Sequence, residues 1–551
     1  MKRFRLWLLI PLLFLSLAAS AQHLESFSKA DTLRGSLSPL RTCYDINYYH
    51  LDIRVDVGQQ FISGSNLFKF TATRDFNKLQ FDLFDNYEIE KIIYQGKELE
   101  YTAEYDAVFV QFPTIIKKGS KAEFTVFYSG TPMIAQDAPW GGGFVFTEDA
   151  GTAPWVSVAC QGLGASAWWP NKDHQSDEVD SMLISVTVPR GLKNISNGRL
   201  ISTQVQPDGS TKFNWFVSYP INNYNVTLNI GDFAHFSDEY IGLKGKLTLD
   251  YYVLRENLDR AKSHFEQVKK ILKSFEYWFG PYPFYRDGYK LIETPYLGME
   301  HQSAISYGNK YKNGYLGSDL SKTGLGLFWD YIIVHESGHE WFGNNITSKD
   351  LADLWIHESF TTYSEALYIE SQQGKKAGMQ YLNGLRQTIQ NDSTIIGTYN
   401  VNREGSEDMY FKGANLLHTI RAIINNDQQW LRILRGLNQT FKLQTVTSEQ
   451  IISYINKQSG KNLTPIFDQY LRFKDIPTLV LTWTSENSVA YRWQSDVKGF
   501  NMPVKVKLPG TSEWQLIQPT NVAKVLTVQG PASELLIDTD NFYIKTKIST
   551  N

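Results

Sequence analysis

The sequence predicts a multidomain α+β protein, in which two β-rich regions flank a mainly helical one. Its 551 residues are too many for one ordinary hydrophobic core. Apolar residues alternate with polar ones in the first part of the chain, recur at helical spacing in the middle, and alternate again near the end. The predicted division, in chain order, is a leader at 1–21, an all-β domain at 22–235, a mainly helical domain at 236–475 and a small C-terminal β-domain at 476–551.

The N-terminus has the pattern of a secretory signal peptide. The basic start MKRFR precedes an apolar run, Leu6–Leu17, and a small-x-small cleavage site at Ala19–Ala21. The run is short for a membrane span, so we favour cleavage over an uncleaved anchor. We therefore predict export through a cleaved leader, with Gln22 as the mature N-terminus, the periplasm or secretion as the destination, and no stable membrane anchor.

The first β-rich region contains segments such as YDINYYHLDIRVDV, KLQFDLFD and AEFTVFYSG. Their β-branched and aromatic residues recur at period two between Gly, Asp and Asn turns, which is typical of strands. The net charge is −3 and no long basic run follows the leader, so nucleic acid is not an expected partner. Two cysteines, Cys43 and Cys160, are too few for a disulfide framework, and we favour two buried thiols over one bridge.

The middle of the chain predicts a series of helices. One covers ENLDRAKSHFEQVKKILKSFEYWFG and ends at Gly280. A second covers SDLSKTGLGLFWDYIIVHESGHEWFG, beginning on its capping residues and ending near Gly343. A third runs through LWIHESFTTYSEALYIESQQG to Gly374, and another begins near Tyr410. Between the first two, YKLIETPYLGMEHQSAISY alternates like strands. After KDIPTLVLTW the chain alternates again and forms the C-terminal β-domain.

The second of these helices carries the pattern HExxH at residues 335–339. His335 and His339 share one face, because positions i and i+4 of a helix differ by about 40° around its axis. Two imidazoles so placed can bind zinc, with Glu336 beside them to activate water. A Gly-Asn turn lets the next helix fold back and supply Glu358 as a third ligand. Three protein ligands with one open position suit a catalytic zinc site, so we predict one Zn²⁺ ion.

The stretch HESGHEWFGNNITSKDLADLWIHESF resembles the signature of the aminopeptidase N and leukotriene hydrolase family, a group of zinc metallopeptidases with an HExxH-x18-E motif. The resemblance extends from YDINYYHLDIRVD through YFKGANLL. It implies a β-sandwich or saddle N-terminal domain, a thermolysin-like catalytic domain and a C-terminal part. It also implies that Glu336 is the general base. The family has Asn and Gly where this chain has His357 and Ser359; neither replaces a ligand, and we expect a structural role for His357.

The resemblance also implies a substrate-binding end. LGMEH is similar to the family motif Gly-x-Met-Glu-Asn, with Gly298 in the variable position and Met299 and Glu300 aligned. Glu300 is thereby implied to bind the α-amine of the substrate, on an edge strand that holds an extended peptide. Gln161, in VACQGLGASAWWPNKDH, is implied to assist, with a buried structural amide as the alternative. His301 stands where the family has Asn.

Two further side chains complete the predicted site. Tyr410, in MYFKGANLL, matches the family Tyr-x-Lys-Gly segment whose tyrosine donates to the oxyanion, whereas Tyr381 and Tyr399 lack the Lys-Gly that follows. Taken by itself, Tyr410 would be a core aromatic at the start of a helix. Asp353 lies five residues before Glu358 and either orients a ligand imidazole or is an acid on the helix surface.

The predicted function is that of a zinc-dependent aminopeptidase. It releases N-terminal residues from peptides with a free N-terminus, by metal-activated water attack with Glu336 as base and Tyr410 as oxyanion donor. The alternatives are a zinc endopeptidase, an epoxide-opening enzyme as in some relatives, and a non-catalytic binding protein of this fold. Because the region after Ile476 is short, we expect an open site that accepts longer peptides.

Overall fold

The computed structural model describes residues 27–531 and 534–550. The predicted signal peptide at 1–21 and the predicted mature start at Gln22 lie outside the described residues. Over the ranges that are described, no helix is long and apolar enough to cross a membrane. The predicted order of a β-rich part, a helical part and a second β-rich part is confirmed.

The N-terminal part is dominated by sheets. Two short helices, α1 (Lys29–Gly35) and α2 (Pro39–Thr42), precede it. Its strands are, in chain order, β1 (Tyr44–Asp56), β2 (Phe61–Ala72), β3 (Phe76–Asp82), β4 (Tyr87–Tyr94), β5 (Lys97–Glu98), β6 (Glu100–Glu104), β7 (Ala107–Ile116), β8 (Lys121–Gly130), β9 (Gly143–Glu148), β10 (Pro154–Ala159), β11 (Glu178–Val179), β12 (Ser181–Val188), β13 (Lys193–Ser196), β14 (Arg199–Val205), β15 (Thr211–Val217), β16 (Ile221–Asn222) and β17 (Leu228–Gly231).

The largest sheet of this part has eight strands, in the order β14-β15-β12-β1-β2-β8-β4-β5. Smaller sheets, β13-β17-β10-β9 and β3-β7-β6, accompany it. In β1 the side chains of Tyr49, Leu51, Ile53 and Val55 are buried, as period-two alternation predicts for a strand with one face on the core. Cys43 and Cys160 are buried and unpaired.

The catalytic part combines a small sheet with most of the helices. Its elements are β18 (Phe233–Gly242), β19 (Gly245–Leu254), α3 (Leu258–His264), α4 (Val268–Phe279), β20 (Tyr289–Glu293), β21 (Gly298–Met299), β22 (Ile305–Tyr307), α5 (Tyr331–His339), β23 (Ile346–Ser348), α6 (Trp355–Gln373), α7 (Lys375–Leu385), α8 (Phe411–Ile424), α9 (Asp427–Thr440), β24 (Gln444–Val446), α10 (Ser448–Ser459) and α11 (Thr464–Leu471).

The sheet of this part has the order β18-β19-β20-β22-β21, so β21 is an edge strand. The predicted boundary between residues 235 and 236 falls inside β18 and stays a prediction. The helix predicted before Gly280 is divided into α3 and α4 by a short 3₁₀ turn at Phe265–Gln267.

The helix that carries the HExxH pattern begins later than the sequence predicts. The predicted start on the capping residues of SDLSKTG is wrong, because α5 begins at Tyr331 and its N-cap is Asp330. The Asp330 carboxylate accepts the backbone N–H groups of Ile332 and Ile333, which is the usual capping bond. Upstream, the side chain of Asp319 accepts the backbone N–H groups of Ser321 and Gly324, a local bond that competes with a helix and favours turns.

The C-terminal part contains seven strands, arranged as the sheets β29-β26-β25-β31 and β28-β27-β30. They are β25 (Thr478–Ser485), β26 (Ser488–Gln494), β27 (Val504–Lys507), β28 (Trp514–Ile517), β29 (Lys524–Thr527), β30 (Leu536–Ile537) and β31 (Lys545–Thr550). Buried residues of this part, such as Trp493 and Phe500, belong to the same hydrophobic cluster as those of the catalytic helices. The N-terminal sheets have a cluster of their own.

Candidate active site

Three ligand atoms converge on one point between α5 and α6. The Nε2 atoms of His335 and His339 are 3.2 Å apart, and they lie 3.6 Å and 3.4 Å from Oε2 of Glu358. A tetrahedral ion with bonds of about 2.0–2.1 Å would hold its ligand atoms about 3.4 Å apart. The Glu358 Oε2 atom is buried and has no hydrogen-bond partner among the described residues. The spacing, the donor types and this unsatisfied oxygen all fit a zinc ion.

Close helix packing sets this geometry. At Gly338 on α5, a Cβ atom would lie 2.6 Å from Oγ of Ser364 on α6. After α5 the chain makes a five-residue π-helical segment, Glu340–Asn344, that breaks at Phe342 and at Gly343, whose φ is 129°. This break matches the turn predicted near Gly343. It redirects the chain so that Glu358, on the first turn of α6, faces the two imidazoles.

The Nδ1 atom of each imidazole, which faces away from the metal position, also has a hydrogen-bond partner. Nδ1 of His335 is 2.7 Å from a carboxylate oxygen of Glu365, and the other oxygen of Glu365 accepts a 2.7 Å hydrogen bond from the hydroxyl of Tyr381. Nδ1 of His339 donates to the Phe342 carbonyl at 3.0 Å. These bonds leave both Nε2 lone pairs for a metal. Glu365 was not predicted from the sequence, although it lies seven residues after Glu358, two turns along the same helix face.

Asp353 has neither of the roles predicted for it. It is fully buried, so it is not a surface acid, and it contacts no ligand imidazole. Its carboxylate accepts hydrogen bonds from the Tyr399 hydroxyl at 2.7 Å and from the backbone N–H of Ser448 at 3.1 Å. Asp353 therefore ties the start of α6 to α10.

The two residues beside Glu358 that differ from the family motif, His357 and Ser359, both make structural contacts. Nε2 of His357 accepts a 2.7 Å hydrogen bond from the backbone N–H of Ser348, and burial lowers the pKa of His357 to about 3, so the ring is neutral. Oγ of Ser359 donates to the Met409 carbonyl at 2.6 Å, which holds the turn before Tyr410. Room for Ser359 comes from Gly413 on α8, where a Cβ atom would overlap its hydroxyl.

Glu336 lies beside the ligands and faces the cleft. Burial raises the pKa of Glu336 to about 7, although the imidazoles of His335 and His339 act in the opposite direction. A carboxylate with a pKa near the working pH is well suited to accept and return a proton. Gly298 on β21 is packed against it, since a Cβ atom there would lie 2.9 Å from an oxygen of Glu336. A larger residue at 298 would displace the base.

The predicted amine-binding carboxylate is buried at one end of the cleft. Oε1 of Glu300 accepts hydrogen bonds from Nε2 of Gln161 at 2.7 Å and from the hydroxyl of Tyr224 at 3.0 Å. Glu300 also contributes to the lining of the cleft. Gln161 is partly exposed there, so the alternative of a buried structural amide is not supported. Nothing in the sequence singled out Tyr224, which lies 76 positions from Glu300.

The neighbours of Glu300 are structural. Met299 is 2% exposed and packs in the hydrophobic cluster of the N-terminal sheets, so it fixes β21 in place. Its predicted part in substrate binding stays a prediction. His301 is buried with Nδ1 3.1 Å from Oγ of Ser306, and burial lowers the pKa of His301 to about 3. The histidine that this chain has in place of the family asparagine therefore adds no group that titrates near neutral pH.

Tyr410 is stacked near the metal ligands. Its ring centroid lies 6.1 Å from that of His335, with the two planes 23° apart. Burial, together with the nearby Glu358 carboxylate, raises the pKa of Tyr410 well above its usual value, so the hydroxyl keeps its proton and can donate it. Tyr381 and Tyr399 are bonded to Glu365 and Asp353, so their hydroxyls are engaged elsewhere.

One cleft of about 820 Å³ brings the predicted residues together. All nine of them contribute to its lining, which includes His335, His339, Glu358, Glu336, Tyr410, Glu300, Gln161, Gly298 and Met299. A cleft of this size accommodates a short peptide. The arrangement places the Glu300 carboxylate, a set of three possible metal ligands, the Glu336 carboxylate and the Tyr410 phenol around a single space.

Comparison with known proteins agrees with this geometry. Residues 263–470 match the family described as Peptidase family M1 domain. The chain is 23% identical to Probable aminopeptidase 1 of Sulfurisphaera tokodaii, over 85% of this chain and 58% of that protein. It is 24% identical to Leukotriene A-4 hydrolase of Xenopus laevis, over 74% of this chain and 67% of that protein. The chain thus spans 58% of the length of the first of these relatives.

Solved structures extend the agreement to the fold. A substrate-bound mutant of an M1 zinc metallopeptidase from Deinococcus radiodurans superposes with a TM-score of 0.64 at 20% identity, covering 78% of this chain and 94% of that chain. The fold is therefore that of M1 zinc metallopeptidases. Residues 263–470 match the peptidase family M1 domain, which agrees with the family resemblance predicted from the sequence.

Proposed function

We propose that the protein is a zinc-dependent aminopeptidase that releases N-terminal residues from peptides. The observation that carries the proposal is the buried Glu300 carboxylate, held by Gln161 and Tyr224 in the same cleft as the zinc-binding set. A free α-amine has a pKa of about 8 and is largely a cation at neutral pH. A buried carboxylate that lines the cleft is its natural partner. The names of the curated relatives, which include aminopeptidases, support the same activity.

The chain's own residues have distinct roles in the proposed reaction. His335, His339 and Glu358 hold one Zn²⁺ ion, which when bound supplies a Lewis acid and a site for activating water. Edge strand β21 binds the peptide backbone in extended form, while Glu300 and Gln161 hold the amine. Glu336 takes a proton from the attacking water and passes it to the leaving amine. The hydroxyl of Tyr410 donates to the oxyanion.

We also propose that the protein acts outside the cytoplasm. The proposal rests on the leader, whose basic start, apolar run and small-x-small site are those of a cleaved signal peptide. Its destination is the periplasm or the medium. N-terminal sequencing of the exported protein tests this, and a mature chain that begins at Gln22 is the expected result.

A panel of aminoacyl chromogenic substrates, free or N-acetylated, tests the activity. We expect the zinc-loaded enzyme to cleave the free substrates and to refuse the acetylated ones, because acetylation removes the cation that Glu300 binds. Equal cleavage of blocked and free substrates would favour the endopeptidase alternative. The variant Glu300→Ala is expected to lose activity selectively on free-amine substrates.

The variant Glu336→Gln tests the base. Its amide has the size of the carboxylate but cannot accept the proton, so kcat is expected to fall by about 10²–10⁴-fold. Metal analysis of the same sample is the control, since Glu336 is not a ligand and zinc content is expected to equal that of the wild type. Turnover at the wild-type rate would remove Glu336 from the mechanism.

A further inference from the structure

One wall of the cleft carries two carboxylates that the proposed reaction does not use. Glu404 and Glu407 lie in the segment that leads to Tyr410, and both line the cleft. Glu404 is half-buried and Glu407 is exposed. Within residues 27–531 and 534–550, neither side chain has a hydrogen-bond donor or an ion-pair partner. Partial burial of an unpaired carboxylate is costly, so Glu404 gains from a cationic ligand, and the exposed Glu407 adds a second negative charge beside it.

The backbone that carries them is held tightly. At Gly405 a Cβ atom would overlap the carbonyl oxygen of Ile395, and at Gly397 it would lie 3.0 Å from the carbonyl carbon of Glu404. The backbone N–H of Ser406 donates to the Thr394 carbonyl at 3.0 Å. The contacts between these two chain segments therefore fix the backbone of Glu404 before any ligand binds. Fixing the backbone in advance reduces the entropy cost of binding.

The position of this segment identifies the part of the substrate that it faces. Nδ2 of Asn402 lies 3.5 Å from the carbonyl oxygen of Gly162, the residue that follows Gln161 at the amine-binding end. At its other end the segment leads into Tyr410, the oxyanion donor. A side chain between the amine and the scissile carbonyl belongs to the first residue of the peptide. The acidic wall thus borders the pocket for that side chain.

Carboxylates outnumber cationic side chains in the lining of the cleft. Glu300, which is 2% exposed, and Glu336, which is 7% exposed, add carboxylates to the same lining. Arg403 also lines the cleft, and its guanidinium carbon lies 5.2 Å from the ring centroid of Phe27, before α1. Burial and the neighbouring Glu407 carboxylate raise the pKa of Glu404 to about 7, as expected for an acid that lacks a counter-charge.

We propose that Glu404, assisted by Glu407, binds a cationic side chain on the first residue of the peptide, so that the enzyme preferentially releases N-terminal lysine and arginine. The inference deepens the proposed aminopeptidase function and rests on it. An ammonium or guanidinium group that enters the pocket gains a charge-assisted hydrogen bond from a fixed carboxylate. An alkyl side chain of the same length gains none and leaves the carboxylates unpaired.

Lysine and norleucine differ mainly in the terminal ammonium, so their substrates form a matched pair for the test. We expect the wild type to cleave lysyl p-nitroanilide with a kcat/KM roughly 10- to 100-fold above that for norleucyl p-nitroanilide. Glu404→Gln is expected to bring this ratio close to one, and Glu407→Gln to reduce it less. The control Glu148→Gln, an exposed acid on β9 outside the cleft, is expected to keep the wild-type ratio. A wild-type ratio near one, or an unchanged ratio in Glu404→Gln, would overturn the proposal.

A binding measurement separates this proposal from the activity. Calorimetric titration of the zinc-loaded protein with L-lysine and with L-norleucine is expected to give tighter binding of lysine, and Glu404→Gln is expected to abolish the difference. If no aminoacyl substrate is cleaved while lysine is still preferred, the aminopeptidase proposal fails and the cation pocket stands. If norleucyl substrates are cleaved and lysine has no advantage in rate or binding, only the cation pocket fails.

Discussion

Both nitrogens of each zinc-binding imidazole are in use at this site. The Nε2 atoms face the metal position, while the Nδ1 atoms contact Glu365 and the Phe342 carbonyl. A hydrogen bond at Nδ1 selects the tautomer that leaves the Nε2 lone pair free. Because one oxygen of Glu365 contacts Nδ1 and the other accepts from Tyr381, Glu365 orients the His335 ring. Glu365 is thus a positioning residue rather than a ligand.

The variant Glu365→Gln tests this role. Loss of the charge is expected to weaken zinc binding about 10- to 100-fold, measured by competition with a chromogenic chelator. The matched control is Tyr381→Phe, which removes only the hydrogen bond to the far oxygen of Glu365 and is expected to have the smaller effect. Zinc affinity equal to that of the wild type in Glu365→Gln would contradict the assignment.

Among the secondary-structure elements, the break after α5 matters most for the site. The π-helical segment allows the Phe342 carbonyl to turn back onto His339, and the break depends on Gly343 at a φ of 129°. A Cβ atom at Gly343 would also lie 3.2 Å from Nδ1 of His339. Backbone conformation and close approach therefore both require glycine at this position.

Gly343→Ala is expected to displace the His339 ring and to lower both zinc content and the melting temperature, with a strain cost of about 1–3 kcal/mol. Gly374→Ala is the matched control. Gly374 ends α6 with a φ of 90°, but no atom lies within 4 Å of where its Cβ would be. The control therefore carries the backbone strain without the clash, and its zinc content is expected to be normal. A zinc loss of the same size in both variants would refute the clash with His339.

The whole molecule assembles the site from two parts with separate hydrophobic clusters. The zinc ligands belong to α5 and α6, whereas Gln161 and Tyr224, which hold Glu300, come from the N-terminal part. Met299 packs in the N-terminal cluster and so links edge strand β21 to that part. The proposed amine site therefore depends on how the two parts pack together, whereas the proposed metal ligands all lie on α5 and α6.

Metal removal tests the contribution of zinc to the whole fold. Without the ion, the Glu358 carboxylate and two imidazoles would face one another in a buried site, so a chelator is expected to lower the melting temperature and abolish activity. Zinc at roughly 1,000 times its Kd would stabilise the folded state by about 4 kcal/mol. The variant His335→Ala is the control, since its melting temperature is expected to respond little to chelator or zinc. An unchanged wild-type melting temperature would show that the site does not bind zinc in the folded state.

Much of this molecule follows from spacing along the chain. The period of apolar residues is enough to predict the order of β-rich and helical parts, because burial of one face imposes it locally. The pair His335 and His339 is likewise local, since four residues bring two side chains onto one helix face. Glu358 could be predicted because a short turn connects its helix to the first.

Only the tertiary structure decided the contacts between distant segments. Tyr224 contacts Glu300, and Asn402, two residues before Glu404, contacts Gly162 at the amine-binding end, through packing that no local pattern encodes. Asp353 and the start of α5 were predicted wrongly for the same reason, since the partners of Asp353 on other elements and the turn bonds of Asp319 outweighed the local pattern. Hydrophobic periodicity is set by burial within one element, whereas the partner of a polar side chain is set by which elements meet, and that depends on the packing of the whole chain.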